Sequence, residues 1–261
     1  MKNSIRYFIA QAKYNLKNAH ALARSFWTGV ISMILNNLTF FIIWFLFMQA
    51  TGPINGWTTI DVFGMLGISM FAFGFAQSFF YGITELPQLV VKGSFDSVLL
   101  APVTTFFKLA GSAFSITAYG DLLQGTFIVI LYGIFIRLTL VAWIVYVFTI
   151  FLGCIIFICI RLLCSLVVFF IHDGEVVSGQ IFDIFLRPGL YPGSIFPSGL
   201  KLFFMTIIPT LLTSAVPIYF LKSQSTSLFL LAVIITLFWV LLTSVVFRMA
   251  IRRYESGNYL R

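Results

Sequence analysis

The sequence predicts an all-α protein that crosses a lipid bilayer several times, and three observations carry that prediction. Apolar residues fill 60% of the 261 positions and charged residues only 9%, whereas a water-soluble domain is about one-quarter charged because its surface must be hydrated. Thirty-two phenylalanines and an aromatic content of 18% are too much to hide in one soluble core. The apolar residues also gather into several runs of the roughly 20 that a spanning helix requires, and mean hydropathy is +1.04.

Residues 4–24 predict an amphipathic helix. Arg6, Lys13, Lys17, His20 and Arg24 recur at helical steps along one stripe, with Ile5, Phe8, Ile9, Ala12, Leu16 and Ala19 on the other side. A basic face beside an apolar one suits the headgroup layer of an anionic leaflet. The same charges interrupt the continuous apolar stretch that a cleavable secretory signal needs, so the segment is expected to stay on the protein.

Spans are then expected over residues 27–49 and 61–83, separated by the turn residues Thr51-Gly52-Pro53 and Asn55-Gly56. Residues 105–136 and 140–171 follow as two further spans, each long enough to be tilted or extended. Residues 228–250 form the last. Between them, residues 175–221 admit two readings. Hydropathy alone puts one span at about 201–221. The other makes 175–196 a span despite Asp183 and Arg187, with 198–220, broken by Pro209 and Pro217, dipping in and returning. Both give six crossings and put the termini on one side.

Lysine and arginine choose that side. Eleven of them (Lys2, Arg6, Lys13, Lys17, Arg24, Lys92, Lys108, Arg248, Arg252, Arg253 and Arg261) fall on the terminal side. Opposite lie only Arg137, Lys222 and, in one reading, Lys201. Both termini and residues 85–103 are therefore expected in the cytoplasm, and the net charge of +8 is an orientation signal rather than a nucleic-acid surface.

Catalytic chemistry finds little support. Cys154, Cys159 and Cys164 are five apart, about 140° around a helix, so they share no face. No Ser/His/Asp or Cys/His constellation and no acidic cluster for a metal ion occurs. Asp121, Gln124 and Arg161 lie within spans, where charge is costly and faces a cavity or partner. An ion pair of Asp121 with Arg187 is the first expectation, with Asp183 the nearer candidate for Arg161. A pathway lining or an ion-coupled secondary transporter using Asp121 are the alternatives, although no inverted repeat supports the latter.

Between two long apolar runs the chain breaks into "ELPQLVVKGSFDSVLLAPV", residues 85–103, with Gly, Pro, Asp, Glu and Lys. Its leucines, valines and Phe95 hold it at the membrane surface while Pro87, Gly93 and Pro102 break it. The pattern "KGSFDSVLLAPV" resembles the segment after the second span in permease subunits of bacterial ABC transporters of the type-2 export class, in particular their small six-span subgroup. "YPGSIFP", "IIPTLLTSAVP" and the terminal "RRYESGN" are similar to the same subgroup in order and spacing.

The resemblance implies one transmembrane domain over residues 1–261, in the bacterial cytoplasmic membrane. It implies a cytoplasmic coupling helix with Glu85, Lys92, Gly93, Phe95, Asp96, Leu99 and Pro102, and an interfacial helix with Arg6, Lys13, Lys17 and Arg24. It favours the second reading of residues 175–221, with 198–220 as an outer re-entrant region marked by Tyr191, Pro192, Pro197, Pro209 and Pro217. The implied partners are a cytoplasmic ATPase dimer, a second permease subunit (a paralogue in the first reading, an identical copy in the alternative) and membrane lipid. No G-x-x-x-x-G-K-[ST] loop occurs in the chain, so ATP and Mg are expected on the ATPase and no cofactor on this subunit. The cargo expected is amphipathic: lipid, glycolipid or polysaccharide, peptide or drug.

Overall fold

The computed structural model describes residues 2–21, 23–171 and 173–254. His172 and the terminal motif beyond Tyr254, with Arg261, lie outside the described residues. Twelve α-helices follow in order among them: α1 (Lys2–Ala21), α2 (Ala23–Thr51), α3 (Thr59–Phe79), α4 (Gly82–Val91), α5 (Asp96–Leu99), α6 (Thr105–Ala110), α7 (Ala118–Phe135), α8 (Leu140–Leu166), α9 (Gly174–Leu186), α10 (Ser198–Thr206), α11 (Ala215–Ser223) and α12 (Thr226–Arg252). Five of them, α2, α3, α7, α8 and α12, are long and apolar enough to cross a membrane. Their outward faces carry Ile31, Leu35, Ile43, Ile134, Ile234 and Leu241, among many others. Exposure of this kind makes lipid the solvent of the bundle, as the composition requires.

The most closely packed pair is α3 with α7, and glycine sets how closely they approach. A Cβ added at Gly74 would overlap the backbone of Asp121 and Leu122, and one at Gly125 would meet the backbone of Phe71. Small residues let membrane helices come into backbone contact, where packing replaces the missing hydrophobic drive. Gly74→Ala is therefore expected to destabilise by about 3 kcal/mol, because no rotamer change relieves a collision with backbone. Gly179→Ala, on α9 with open space around it, is the control. Thermal midpoints of the two purified variants check this, and equal midpoints would mean that the seam is not a tight one.

Two ends of the bundle can be named by their residues. Asn55 marks the end where α2 stops and α3 begins. Gly93 marks the other, where α3 runs into α4 and where Tyr254, just beyond α12, packs against Phe95 at 5.1 Å between rings. At the Asn55 end, Lys222 Nζ donates to Asp61 (2.7 Å) and to the Gly56 carbonyl (2.6 Å), and the Tyr132 hydroxyl donates to Asp61 (3.0 Å). With the Lys222 side chain 38% exposed, its ion pair contributes at most about 1 kcal/mol.

Two expected spans need correction. Residues 105–136 are not one helix. The run breaks at 111–117, where Asn15 Nδ2 donates to the Gly111 carbonyl and the Ser115 N–H to the Gln77 carbonyl. Average hydropathy stays high through "GSAFSIT", but glycine and hydroxyl side chains supply the local bonds that compete with a helix. The span is α7 alone, 18 residues and about 27 Å long. The span expected over 140–171 is matched by a helix over Leu140–Phe169, long and apolar enough to cross, α8 continuing past Leu166 into a 3-10 turn over Val167–Phe169. Residues 175–196, by contrast, are not one long helix: α9 passes into a 3-10 turn over Arg187–Leu190 and then irregular chain.

The contacts of that last segment locate it. Gly174 lies on the backbone of Val168 at the Gly93 end, whereas the Ser194 carbonyl accepts from Asn55 Nδ2 at 2.9 Å at the opposite end. From there the chain runs inward. The Thr206 carbonyl accepts from Trp239 Nε1, midway along α12, at 3.3 Å. A Cβ added to Gly153, midway along α8, would come 2.6 Å from the Leu212 carbonyl. By Lys222 the chain is back at the Asn55 end. Pro197 caps α10, Pro209 precedes a 3-10 turn over Thr210–Thr213, and Pro217 sits in the first turn of α11, where no helical donor is lost.

Candidate functional site

Residues 82–103 fold into two short helices that pack back on each other. α4 ends at Lys92, Gly93 takes φ +67°, and the chain reverses so that the Phe95 N–H donates to the Leu89 carbonyl at 3.0 Å. The left-handed turn is what glycine permits and β-branched residues resist. α5 then returns toward Pro102.

Burial divides the expected coupling residues. Lys92, Gly93, Ser94, Leu100 and Pro102 face outward, with Leu100 85% exposed. Phe95, expected on the contact surface, is instead fully buried at 0%, between Phe169 and Tyr254. It anchors the hairpin, together with Leu86, Val90 and Val98, on Leu162, Leu166 and Ala250. Leu99 and Asp96 are half-buried. Burial, with Asp96 beside it, pushes the Tyr254 phenol up to about 12. Glu85 lies at the base rather than the tip, where burial first and Glu85 second raise the Tyr81 phenol.

Because nothing lies within 4 Å of a Cβ built at Gly93, a substitution there meets only backbone strain. Gly93→Asn is expected to cost a few tenths of a kcal/mol and Gly93→Val about 2 kcal/mol. Amide exchange at Phe95, whose N–H closes the turn, checks the difference. Equal exchange in the two variants would show that the turn conformation is not needed.

A second group braces the hairpin to the bundle. Arg161, 9% exposed on α8, donates from Nε to Thr84 Oγ1 at 3.0 Å and from an η nitrogen to the Thr84 carbonyl at 3.3 Å. Its guanidinium lies 4.6 Å from the centre of the Phe182 ring on α9. Thr84 in turn donates to Gln77 Oε1 at 3.0 Å. One arginine thus joins α8, α9, the start of α4 and the end of α3. No ion pair forms between Arg161 and Asp183, which is exposed. The sequence reading missed Thr84, whose hydroxyl and carbonyl satisfy the guanidinium as a carboxylate was expected to do.

α1 lies beside α6 at the same end. The Thr104 N–H donates to Ser4 Oγ (3.2 Å), Lys108 Nζ to the Tyr7 hydroxyl (2.8 Å) and Asn15 to Gly111 (3.3 Å). Arg6, Lys13 and Lys17 stay exposed, and so do Ile5, Ile9 and Leu16. The expected apolar stripe is split: Phe8 goes inward against Phe80, and a polar stripe of Ser4 and Asn15 binds the protein. Arg24 belongs to the first turn of α2, beyond α1.

Asp121 and Arg187 do not meet. Asp121 Oδ1 accepts from Asn37 Nδ2 at 2.7 Å, and the same amide donates to Gln124 Oε1 at 3.0 Å. Arg187 is exposed. Asn37 was not singled out in the sequence, although "NN" in the middle of an apolar run was the available signal. Tyr191 meets Trp44 edge to face at 5.9 Å, and Pro192 is buried beneath it.

A bundle of lipid-facing helices, with a braced hairpin and a basic amphipathic helix at one end, is the architecture of a polytopic membrane component. The family model described as ABC-2 family transporter protein matches residues 34–257, and the chain belongs to that family as an ABC-2 type permease subunit. No curated protein and no solved structure matches it.

Proposed function

We propose that this chain is the membrane-spanning subunit of an ATP-driven exporter in a bacterial cytoplasmic membrane, moving an amphipathic substrate with energy from a separate ATPase. The observation that carries this is the hairpin of α4 and α5: Lys92 and Gly93 at its turn and the apolar Leu100 after α5 all stand exposed, while a buried Phe95 anchors it. A cytoplasmic ATPase dimer, holding ATP and Mg, grips that hairpin, and a paralogous permease completes the membrane unit. The passage from Gly174 to Ser194 is the fifth of six crossings, and residues 198–220 are a re-entrant segment entered from the outer side. Both termini and Gly93 are cytoplasmic, as the lysine and arginine distribution requires, and α1 rests among lipid headgroups. Nucleotide binding biases the equilibrium between inward and outward states through its differential affinity.

Cysteine labelling tests the orientation, since Cys154, Cys159 and Cys164 are buried. In intact cells a membrane-impermeant maleimide should label Asn55→Cys and spare Ser94→Cys until the membrane is opened; the reverse pattern overturns the reading. A P-loop ATPase should co-purify and crosslink to Ser94→Cys in a nucleotide-dependent manner. Transport that persists without ATP but collapses with the ion gradient would point instead to ion-coupled secondary transport.

A further inference from the structure

Between α2, α3, α7 and α9 lies a cavity of about 190 Å³, and its polar wall is built around Asp121. That volume equals roughly six waters at about 30 Å³ each, room for a headgroup and a short stretch of chain. Asp121 is 2% exposed. Its Oδ1 is held by Asn37, while Oδ2 has no hydrogen-bond partner among the described residues. Asn37 has already directed its amide at Asp121 and Gln124, so it cannot serve Oδ2 as well.

Apart from Asn36 and Ser69 the rest of the lining is apolar and aromatic, with Met33, Phe40, Phe73, Phe157 and Leu190, and no lysine or arginine among the described residues. Asn36 and Phe40 line the cavity and also reach the bundle surface, which gives it a side entrance from the bilayer. Asp121 stands in the first turn of α7, where the positive end of the helix dipole favours a carboxylate.

We infer that this cavity is a binding site for a primary ammonium group carried on an apolar chain. A carboxylate oxygen left bare in a low-dielectric site requires a donor, and a cation meets the requirement best. Aromatic faces attract the same charge, and the apolar wall takes the chain. An anionic headgroup would meet Asp121 with no compensating cation, and a neutral alcohol would leave the carboxylate charge unopposed. The inference does not depend on nucleotide drive, so either can fail without the other.

Octylammonium is the probe, with octanol and octanoate as its neutral and anionic counterparts. The whole chain, with its co-purifying subunits, is held in a nonionic maltoside so that no lipid amine competes. Octylammonium should bind saturably, octanol and octanoate should not displace it, and Asp121→Asn should weaken it at least about tenfold. Displacement by octanol, or unchanged affinity in Asp121→Asn, would overturn the assignment.

Should Asp121→Asn fail to fold, the unsubstituted protein still decides. Octylammonium should protect Asp121 from an apolar carbodiimide, read by mass spectrometry, whereas octanol should not; equal or absent protection overturns the proposal. Added phosphatidylethanolamine separates the sources of the amine. If it displaces octylammonium, the natural occupant is bilayer lipid; if it does not, the occupant is a free amphipathic amine.

Discussion

Leu100→Asp should fold like the parent chain and lose its ATPase. Leu100 is 85% exposed, just past the end of α5 and outside the packed core of the hairpin, so the substitution removes little intrachain packing. A surface change of this kind alters stability by no more than about 0.5 kcal/mol. At a docking interface the balance differs. Burying a leucine against a partner contributes about 1.5–3 kcal/mol, and an aspartate in its place leaves a desolvated charge without a partner. Together these weaken the complex by more than about tenfold. Detergent-solubilised complexes captured through the permease should lose ATPase while the permease keeps its thermal midpoint. An ATPase retained at parental stoichiometry would remove Leu100 from the interface. Phe95→Ala is the contrasting case: that ring is buried, so stability should fall by about 3–5 kcal/mol.

Arg161→Leu should separate stability from transport. The parent arginine makes two hydrogen bonds to Thr84 and lies over Phe182, but its burial carries a desolvation penalty that leucine does not. Replacing a buried charge by an apolar side chain of similar reach is often neutral or stabilising, and here Thr84 keeps its bond to Gln77. The thermal midpoint should therefore hold or rise. What is lost is the stiff link from the hairpin base to α8 and α9. ATP hydrolysis should continue while transport falls by more than about tenfold, because hydrolysis no longer moves the bundle. Arg161→Lys keeps the charge without the planar fork and should fall between the two. If Arg161→Leu transports at the parental rate, Arg161 is only a packing residue.

The fold was legible in the sequence wherever one signal dominated. Long apolar runs located α2, α3, α8 and α12, and Gly93 marked a break that proved to be the turn between α4 and α5, whereas Pro87 lies inside α4 rather than breaking the chain. Averages failed where a break was short. Seven residues, four of them Gly, Ser or Thr, separate α6 from α7 inside a run that still scores as apolar, because hydropathy sums side chains and ignores where backbone donors go. Sites were harder, since they depend on contacts distant in sequence. Asp121 was recognised as a costly intramembrane charge, but its neighbour proved to be Asn37, an amide 84 residues away, rather than the arginine that charge pairing suggested. Phe95 carried the right motif and the wrong role: a motif says that a residue matters, and only packing says which way its side chain points.

The interruption between α6 and α7 has a mechanical consequence. α6 is held to α1 by three side-chain hydrogen bonds at and between its ends, while α7 is locked flush to α3. The link over residues 111–117 is tied to α3 through the Ser115 N–H on the Gln77 carbonyl and rests on α2 at Gly29. A continuous helix would carry bending straight from one pair to the other; this strap hands it to α3 and α2 instead.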